Sequence, residues 1–227
     1  TFTNKAANEF KERLSKLLGD DASQIWAGTF HSVCVRILRT CIDRIGLSNS
    51  FTIYDTDDTK KLITQIMKEK NIDEKNLPAK TVIHAISSAK EEGQLPDDYI
   101  ASIKAGNLRA QHIGSIYVEY QKRLAAASAL DFDDIILNTL IIFTKFPEVL
   151  EQYRKRFRYI LVDEYQDTNP SENQLILMLG KGSGNVCVVG DDDQSIYSFR
   201  GATVENILNF DASFDSVKTI KLEQNYR

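Results

Sequence analysis

The most informative stretch of this sequence is Tyr159-Ile160-Leu161-Val162-Asp163-Glu164. Four aromatic or aliphatic residues are followed at once by two acids. A second apolar run, Val186-Cys187-Val188-Val189, also stops at acidic residues, and a weaker third is Thr219-Ile220-Lys221-Leu222. Continuous apolar strands are typical of a parallel sheet that helices cover on both faces, with ligands beyond the carboxyl ends of the strands. The sequence therefore predicts an α/β fold with a parallel sheet.

Helical patterns surround these strands. Residues 4–18 predict an amphipathic helix with Asn4 as N-cap and Gly19 as its end. Thr1 to Thr3 resemble the end of a strand, residues 25–30 a short buried strand, and residues 33–45 a helix that ends at Gly46. From residue 55 to 130 the apolar residues recur only at helical spacing. We therefore predict that residues 55–130 are an inserted all-helical subdomain and that residues 1–54 and 131–227 together form the α/β domain.

Composition excludes several classes of protein. The chain has 227 residues, of which 42% are hydrophobic and 26% charged, with only four prolines, so disordered, collagen-like and disulfide-scaffold proteins are excluded. No apolar run is long enough to span a membrane. Because the cysteines Cys34, Cys41 and Cys187 lie in apolar runs without metal-ligand spacing, we expect buried reduced thiols and a cytoplasmic protein.

Charge is unevenly distributed along the chain. The net charge is −4, which provides no overall basic field for nucleic acid. Residues 131–227 carry 10 basic and 16 acidic side chains, a net charge of −6. This excess of carboxylates is compatible with an ordinary solvated surface and also with a site for a divalent cation.

The acids that end the first strand favour the cation site. An enzyme that hydrolyses nucleoside triphosphates needs one acid at a strand end to hold hydrated Mg²⁺ and a second to polarise water, and Asp163 and Glu164 match this Walker B-like pattern. The pattern alone is weak, but polar residues also follow the second strand, from Gly190 to Ser195. No Gly-x-x-x-x-Gly-Lys-Ser/Thr phosphate loop occurs in the sequence. Either the acids bind no nucleotide or, as we expect of a fragment that starts at Thr1, the loop lies upstream.

Six motifs follow one another along the chain. They are Thr1-Phe2-Thr3-Asn4-Lys5-Ala6-Ala7, Gly28-Thr29-Phe30-His31-Ser32, Leu130-Asp131-Phe132-Asp133-Asp134, Val162-Asp163-Glu164-Tyr165-Gln166-Asp167-Thr168, Gly190-Asp191-Asp192-Asp193-Gln194-Ser195-Ile196-Tyr197 and Leu222-Glu223-Gln224-Asn225-Tyr226-Arg227. In this order and spacing they resemble the motifs of the superfamily 1 DNA helicases of the UvrD, Rep and PcrA type. The resemblance covers the whole chain. It implies the parallel sheet of a RecA-like P-loop NTPase, truncated, with an inserted all-helical subdomain.

The resemblance also implies the cofactors ATP and Mg²⁺ and a role for each matching residue. Asp163 would hold Mg²⁺ through water, and Glu164 would be the base that activates the attacking water. Gln194 would sense the γ-phosphate. Tyr226 would stack on the adenine, and Arg227 would reach the γ-phosphate.

Single-stranded DNA in this family stacks its bases on aromatic side chains, which tolerates any sequence. The residues that match these stacking positions are Phe2, Tyr197 and Phe199. The residues Asn4, Thr29 and His31 would also meet the DNA, and Arg200 follows the aromatic pair as in the family. The family usually has tryptophan where this chain has Phe199, and the smaller ring predicts weaker stacking.

Ordinary structural roles compete with several of these interpretations. Asp131, Asp133 and Asp134 suggest a metal site, but capping of the helix that begins at about Ile135 explains them better. The basic run from Arg154 to Arg158 is better explained as a solvated helix end. His84 and His112 have no partner pattern, and we treat them as structural.

The resemblance implies a fragment of an ATP-dependent DNA helicase that couples ATP hydrolysis to translocation on single-stranded DNA and duplex unwinding, with 3′ to 5′ polarity, in DNA repair or replication. The expected partners are single-stranded DNA and single-strand/duplex junctions, and no membrane. We expect the fragment alone to be inactive and, because its truncated sheet exposes an edge, to self-associate. Two alternatives stay open: a noncatalytic DNA- or protein-binding module, and the motor subunit of a helicase-nuclease.

Overall fold

The computed structural model describes residues 1–182, 184–194 and 205–221 and is mostly helical. Its helices are α1 (Asn4–Leu18), α2 (Phe30–Cys41), α3 (Thr56–Glu69), α4 (Ala79–Glu91), α5 (Pro96–Ser102), α6 (Leu108–Ala126), α7 (Phe132–Lys145), α8 (Pro147–Arg156), α9 (Pro170–Gly180) and α10 (Glu205–Leu208). Its strands are β1 (Thr52–Ile53), β2 (Ala129–Leu130), β3 (Ile160–Val162) and β4 (Val186–Val188). Within this part of the chain, no helix has the length and apolar character that a bilayer crossing requires.

The predicted parallel pairing is confirmed for the two main strands. β3 and β4 are parallel neighbours, with Ile160 opposite Val186 and Val162 opposite Val188. The third predicted strand is wrong for residues 219–221, which lie in no strand, while Leu222 is outside the described residues. β1 and β2 form a second parallel pair of only two residues each. The prediction that residues 55–130 are all-helical is therefore wrong for Ala129 and Leu130, which form β2.

The described residues cover only one face of the β3–β4 pair. Val162 packs there with Tyr165 and Ile176, whereas Leu161 on the other face is 78% exposed. The expectation of cover on both faces is therefore wrong for this part of the chain. Cys187 is exposed on β4, so the prediction of a buried thiol is wrong for this residue, whereas Cys34 and Cys41 are buried as predicted.

Two large hydrophobic clusters hold the helices together. One is formed mainly by α2, α7, α8 and α9, and it includes Cys34, Ile37 and Phe143. The other is formed mainly by α3, α4 and α6, and it includes Ile66 and Tyr117. The division at residues 54/55 and 130/131 stays a prediction, because side-chain clustering alone does not test whether these segments are separate subdomains.

Helix capping corrects the predicted elements at the N-terminus. α1 has the predicted span, but its N-cap is Thr3, whose Oγ1 accepts from the Ala6 N–H at 3.1 Å, and not Asn4. The predicted strand at 25–30 is wrong, since the Thr29 hydroxyl caps α2 at the Ser32 N–H, 3.2 Å away, and Phe30 is already helical. Residues 1–3 are also not a strand. A cap satisfies an otherwise free helical N–H, which here outweighs the strand propensity of a short apolar run.

The aspartates before α7 cap the helix, as predicted. Asp131 is the N-cap, and its side chain and that of Asp134 each accept the other's backbone N–H. Because the cap is Asp131, the helix begins at Phe132, three residues before the predicted start. The buried ammonium of Lys90, on α4, forms ion pairs with both carboxylates.

Candidate functional site

The acidic ends of β3 and β4 lie side by side. The Val189 N–H donates to the Val162 carbonyl at 2.8 Å, and the Tyr165 N–H donates to the Val189 carbonyl at 3.0 Å. These two bonds carry the parallel ladder past the ends of the strands. They bring Asp163 and Glu164 next to the polar segment 190–194, because parallel strands end at the same edge of a sheet.

Glu164 has an uncommon backbone conformation. Its φ of 55° and ψ of 42° lie in the left-handed region, which residues with a Cβ adopt at a cost of order 1–3 kcal/mol. Its carbonyl accepts from the Asp167 N–H at 3.0 Å, and its carboxylate accepts from Gln166 Nε2 at 2.8 Å. Glu164 is exposed, while Asp163 before it is half-buried. The turn therefore directs two consecutive acids into different surroundings.

A third acid is buried beside this pair. Among the described residues, Oδ1 of Asp167 finds no hydrogen-bond partner. Burial, and then the nearby charge of Glu164, raise the pKa of Asp167 above its ordinary value. An oxygen without a partner and a second carboxylate nearby form the kind of surroundings that favour a bound proton or a cation.

The residues present fit a hydrated Mg²⁺ at Asp163. Mg²⁺ usually retains several waters and binds only one or two carboxylates, so it does not need a preformed cage of acids. Consistently, the described part of the chain contains no group of three or more His, Cys, Asp or Glu side chains arranged for a metal. No Gly-x-x-x-x-Gly-Lys-Ser/Thr phosphate loop occurs in this sequence.

The fifth motif is described only as far as Gln194. Its Nε2 donates to Asp191 Oδ2 at 2.5 Å, and both residues lie beyond the end of β4. The other predicted site residues in the C-terminal part lie outside the described residues; they are Tyr197, Phe199, Arg200, Tyr226 and Arg227.

Four predicted DNA-contacting residues line one cleft of about 720 Å³; they are Phe2, Asn4, Thr29 and His31. They come from the start of the chain, the first turn of α1 and the start of α2. The Thr29 oxygen already accepts one hydrogen bond at the cap, and a hydroxyl can in addition donate its hydrogen and accept a second bond. The structure thus brings together residues that are separated by 29 positions or fewer in the sequence.

His31 is held neutral in this cleft. Its ring stacks on Phe132, with 3.6 Å between centroids and 18° between planes. Burial lowers the pKa of His31 to about 4, because a charged ring would lose its hydration there. His31 therefore offers a flat neutral surface and ring nitrogens rather than a positive charge.

Phe132 is a cleft residue that sequence reasoning missed. It is 57% exposed although it is a large aromatic, and it lines the cleft beside His31. The sequence signal was an aromatic residue immediately after the Asp131 N-cap, a position at the first turn of a helix. Capping explains the aspartates of that motif but not its aromatic ring.

Three acids also line the cleft: Glu91, Asp133 and Glu172. Burial is the main cause that raises the pKa of Glu91 to about 7, of Asp133 to about 6 and of Glu172 to about 7. Mutual repulsion contributes, since Asp133 and Glu172 both act on Glu91. Both aromatic rings and weakly acidic carboxyls therefore line the cleft.

We predict that Glu91→Gln stabilises the protein at about pH 8 and has almost no effect at about pH 5. Since burial raises its pKa from 4.5 to about 7, folded Glu91 binds more protons than the unfolded residue between these values, and stability falls as the pH rises through this range. Glutamine cannot ionise and so removes this loss of stability. The loss is roughly 1 kcal/mol, because Glu91 is partly exposed and solvent screens its charge. Urea unfolding at both pH values measures the effect, with exposed Glu74→Gln as control; equal effects at both pH values would contradict the prediction.

The sequence of this chain is similar to those of known proteins. A family model described as "UvrD/REP helicase N-terminal domain" matches residues 1–215. The chain is 50% identical over all 227 residues to a protein named ATP-dependent DNA helicase PcrA from Staphylococcus aureus (strain Mu50) and covers 31% of it. It is 48% identical, with the same coverage, to a protein of that name from Staphylococcus epidermidis (strain RP62A). The chain thus spans about a third of the length of these relatives.

Proposed function

Because the chain belongs to the UvrD/REP helicase family, we propose that it is the part of an ATP-dependent DNA helicase that combines the hydrolytic acids with a stretch of the DNA track. The observation that carries this proposal is the match of the N-terminal domain model over residues 1–215, with identity to PcrA helicases along the whole chain. The parallel β3–β4 pair with acids at its carboxyl edge supports a RecA-like arrangement. DNA, ATP and Mg²⁺ are then the partners of the whole protein.

In the proposed mechanism, Asp163 would hold hydrated Mg²⁺, which would supply charge neutralisation at the phosphates. Glu164 would accept a proton from the attacking water at its exposed carboxylate. The left-handed backbone at Glu164 interrupts the extended chain after β3, so that these consecutive acids can serve these two different roles. Gln194, at the end of the neighbouring strand, would report the presence of the γ-phosphate.

Single-stranded DNA would lie in the cleft that Phe2, Asn4, Thr29 and His31 line. The stacked pair of neutral His31 and Phe132 provides an aromatic surface on which any base can stack. The carboxylates of Glu91, Asp133 and Glu172 repel phosphates when they are ionised. The sugar-phosphate backbone is therefore expected to lie away from these three acids.

The finer functions belong to the same proposal. They are 3′ to 5′ translocation, duplex unwinding in DNA repair or replication, binding at single-strand/duplex junctions and a cytoplasmic location. The family's additional stacking residues, Tyr197 and Phe199, and Arg200, which follows them, would extend the DNA track. Self-association of this chain also stays a prediction, supported by the exposure of Tyr159 (73%) and Leu161 (78%) beside the uncovered sheet face, and sedimentation would test it.

The test is ATP hydrolysis by the full-length protein with and without single-stranded DNA. We expect stimulation by DNA, and we expect His31→Ala to raise the DNA concentration for half-maximal stimulation by about 10-fold or more, since stacking contributes roughly 1–3 kcal/mol per base. His112→Ala is the matched control, because His112 is exposed on α6 and does not line the cleft.

Two outcomes would overturn the proposal. Absence of turnover, with DNA still bound, would favour the noncatalytic binding module. Equal DNA concentrations for half-maximal stimulation in His31→Ala and wild type would remove the cleft from the DNA track. A nuclease activity of the full-length protein would instead favour the helicase-nuclease alternative.

A further inference from the structure

Gln166 connects the two acidic strand ends. Its side chain is buried, at 1% exposure, two residues after Glu164. Nε2 donates to Glu164 Oε2 at 2.8 Å, and Oε1 accepts from the Asp191 backbone N–H at 3.1 Å. A carboxylate can only accept and a backbone N–H can only donate, so these partners determine the orientation of the amide. Glutamate could not make both contacts, because its ionised carboxylate has no donor.

The chain just after β4 leaves room for the Gln166 side chain. A Cβ on Gly190 would lie 2.6 Å from Gln166 Oε1 and 2.8 Å from Ile207 Cδ1. Both distances are shorter than van der Waals contact. A side chain at position 190 would therefore displace Gln166 Oε1 or Ile207 Cδ1, and glycine leaves room for the contact between Gln166 and the Asp191 N–H.

The hydrogen bonds continue beyond Asp191. Its carboxylate Oδ2 accepts from Gln194 Nε2 at 2.5 Å. A continuous connection thus runs from the Glu164 carboxylate through Gln166 and the Asp191 peptide to the Gln194 amide. Because Gln166 contacts both Glu164 and Asp191, displacement of the segment 191–194 would change the position of the Gln166 amide and hence the contact to Glu164.

We propose that Gln166 is a positioning residue that orients the Glu164 carboxylate and makes its orientation depend on the segment 191–194. This inference rests on the proposed function, in which Glu164 activates water and the segment after β4 responds to nucleotide and DNA. When the segment takes its active position, Gln166 holds Glu164 for proton transfer. When the segment moves away, Glu164 loses its buried donor and its orientation.

The experiment compares Gln166→Leu with the wild-type full-length protein in steady-state ATP hydrolysis, with and without single-stranded DNA. Leucine has a similar size but makes neither hydrogen bond. We expect kcat with saturating DNA to fall by about 10- to 100-fold, since a small misplacement of a catalytic group has effects of this size. We expect KM for ATP and the affinity for DNA to change by less than about threefold, because Gln166 contacts neither ligand in the proposal.

The signature of positioning is the ratio of kcat with DNA to kcat without DNA. This ratio should collapse in Gln166→Leu and also in Gln166→Glu, which retains the acceptor for the Asp191 N–H but has no donor for Glu164. Gln121→Leu is the matched control, since Gln121 also donates to a carboxylate, that of Asp134 at 2.7 Å, but far from the site. It should leave the ratio unchanged.

The results separate this inference from the proposed function. If wild-type hydrolysis does not respond to DNA, the proposed function fails. If wild type responds and Gln166→Leu keeps both kcat and the ratio, only the positioning role fails. A rise in KM with unchanged kcat would also overturn it, because Gln166 would then support nucleotide binding. Should Gln166→Leu not fold, Gln166→Glu decides: an unchanged kcat and ratio overturn the inference, and reduced values support it.

Discussion

Lys90→Met is expected to lower the free energy of unfolding by about 3–5 kcal/mol, the usual cost of removing one partner from a buried ion pair. The Lys90 ammonium lies 2.6 Å from Asp131 Oδ2 and 2.7 Å from Asp134 Oδ1, and it is fully buried. Burial alone would lower the pKa of Lys90, but the attraction of Asp134 and Asp131 outweighs it and raises the pKa. Methionine fills a similar volume but leaves two buried carboxylates without their cation.

The position of Lys90 makes this loss serious for the fold. Lys90 is on α4, whereas both carboxylates are at the start of α7, and Tyr120 of α6 also donates to Asp131 at 2.9 Å. The cluster therefore joins helices of the two large hydrophobic clusters. Loss of this ion cluster should weaken the packing of α4 against α7. Ser171 also donates to the carbonyl of Glu91, at the end of α4, at 2.7 Å.

Thermal or urea unfolding measures the effect, with Lys122→Met as the matched control on the exposed surface of α6. We expect the control to change stability by less than about 0.5 kcal/mol. In the triple variant with Asp131→Asn and Asp134→Asn, the unpaired charges are absent, and part of the lost stability should return. A loss below about 1 kcal/mol in Lys90→Met would show that water replaces the ammonium and would contradict a dry ion cluster.

Glu164→Gln is expected to lower kcat for DNA-stimulated ATP hydrolysis by about 10²- to 10⁴-fold in the full-length protein, the range usual for a general base. The glutamine oxygen can still accept from Gln166 Nε2, so the shape of the site is retained. What disappears is the ability to take a proton from water. The loss should therefore fall on kcat, with KM for ATP and the affinity for single-stranded DNA close to those of wild type.

Steady-state hydrolysis and DNA binding by fluorescence anisotropy measure these quantities. Glu74→Gln is the matched control, because Glu74 is exposed between α3 and α4 and lines no cleft described above. It should hydrolyse ATP at the wild-type rate. Turnover by Glu164→Gln within about fivefold of wild type would assign the proton transfer to another group and would remove the central chemical step of the proposal.

Local signals in the sequence were sufficient for many elements. The apolar spacing behind Asn4 predicts α1 with its observed span, although not its N-cap, and the acids before α7 predict a capped helix. The apolar runs at β3 and β4 predict two parallel neighbours. Such features depend on a few adjacent residues, whose backbone preferences and free N–H groups act whatever the rest of the chain does. The chemical roles of Asp163, Glu164 and His31 came instead from resemblance to a family, and they stay predictions.

Only the tertiary structure determined which distant residues meet. Nothing near Lys90 in the sequence indicates that it neutralises Asp131 and Asp134, 41 and 44 positions away, because attraction between charges depends on distance in space. Phe132 likewise becomes a cleft residue only where α2 brings His31 against it. Packing also selects the partners of Gln166, which hydrogen-bonds to Glu164 after β3 and to Asp191 after β4, 25 positions further along the chain. Local preference can therefore place the acids at a strand end, but the partners that orient, neutralise or cover a side chain are selected by packing.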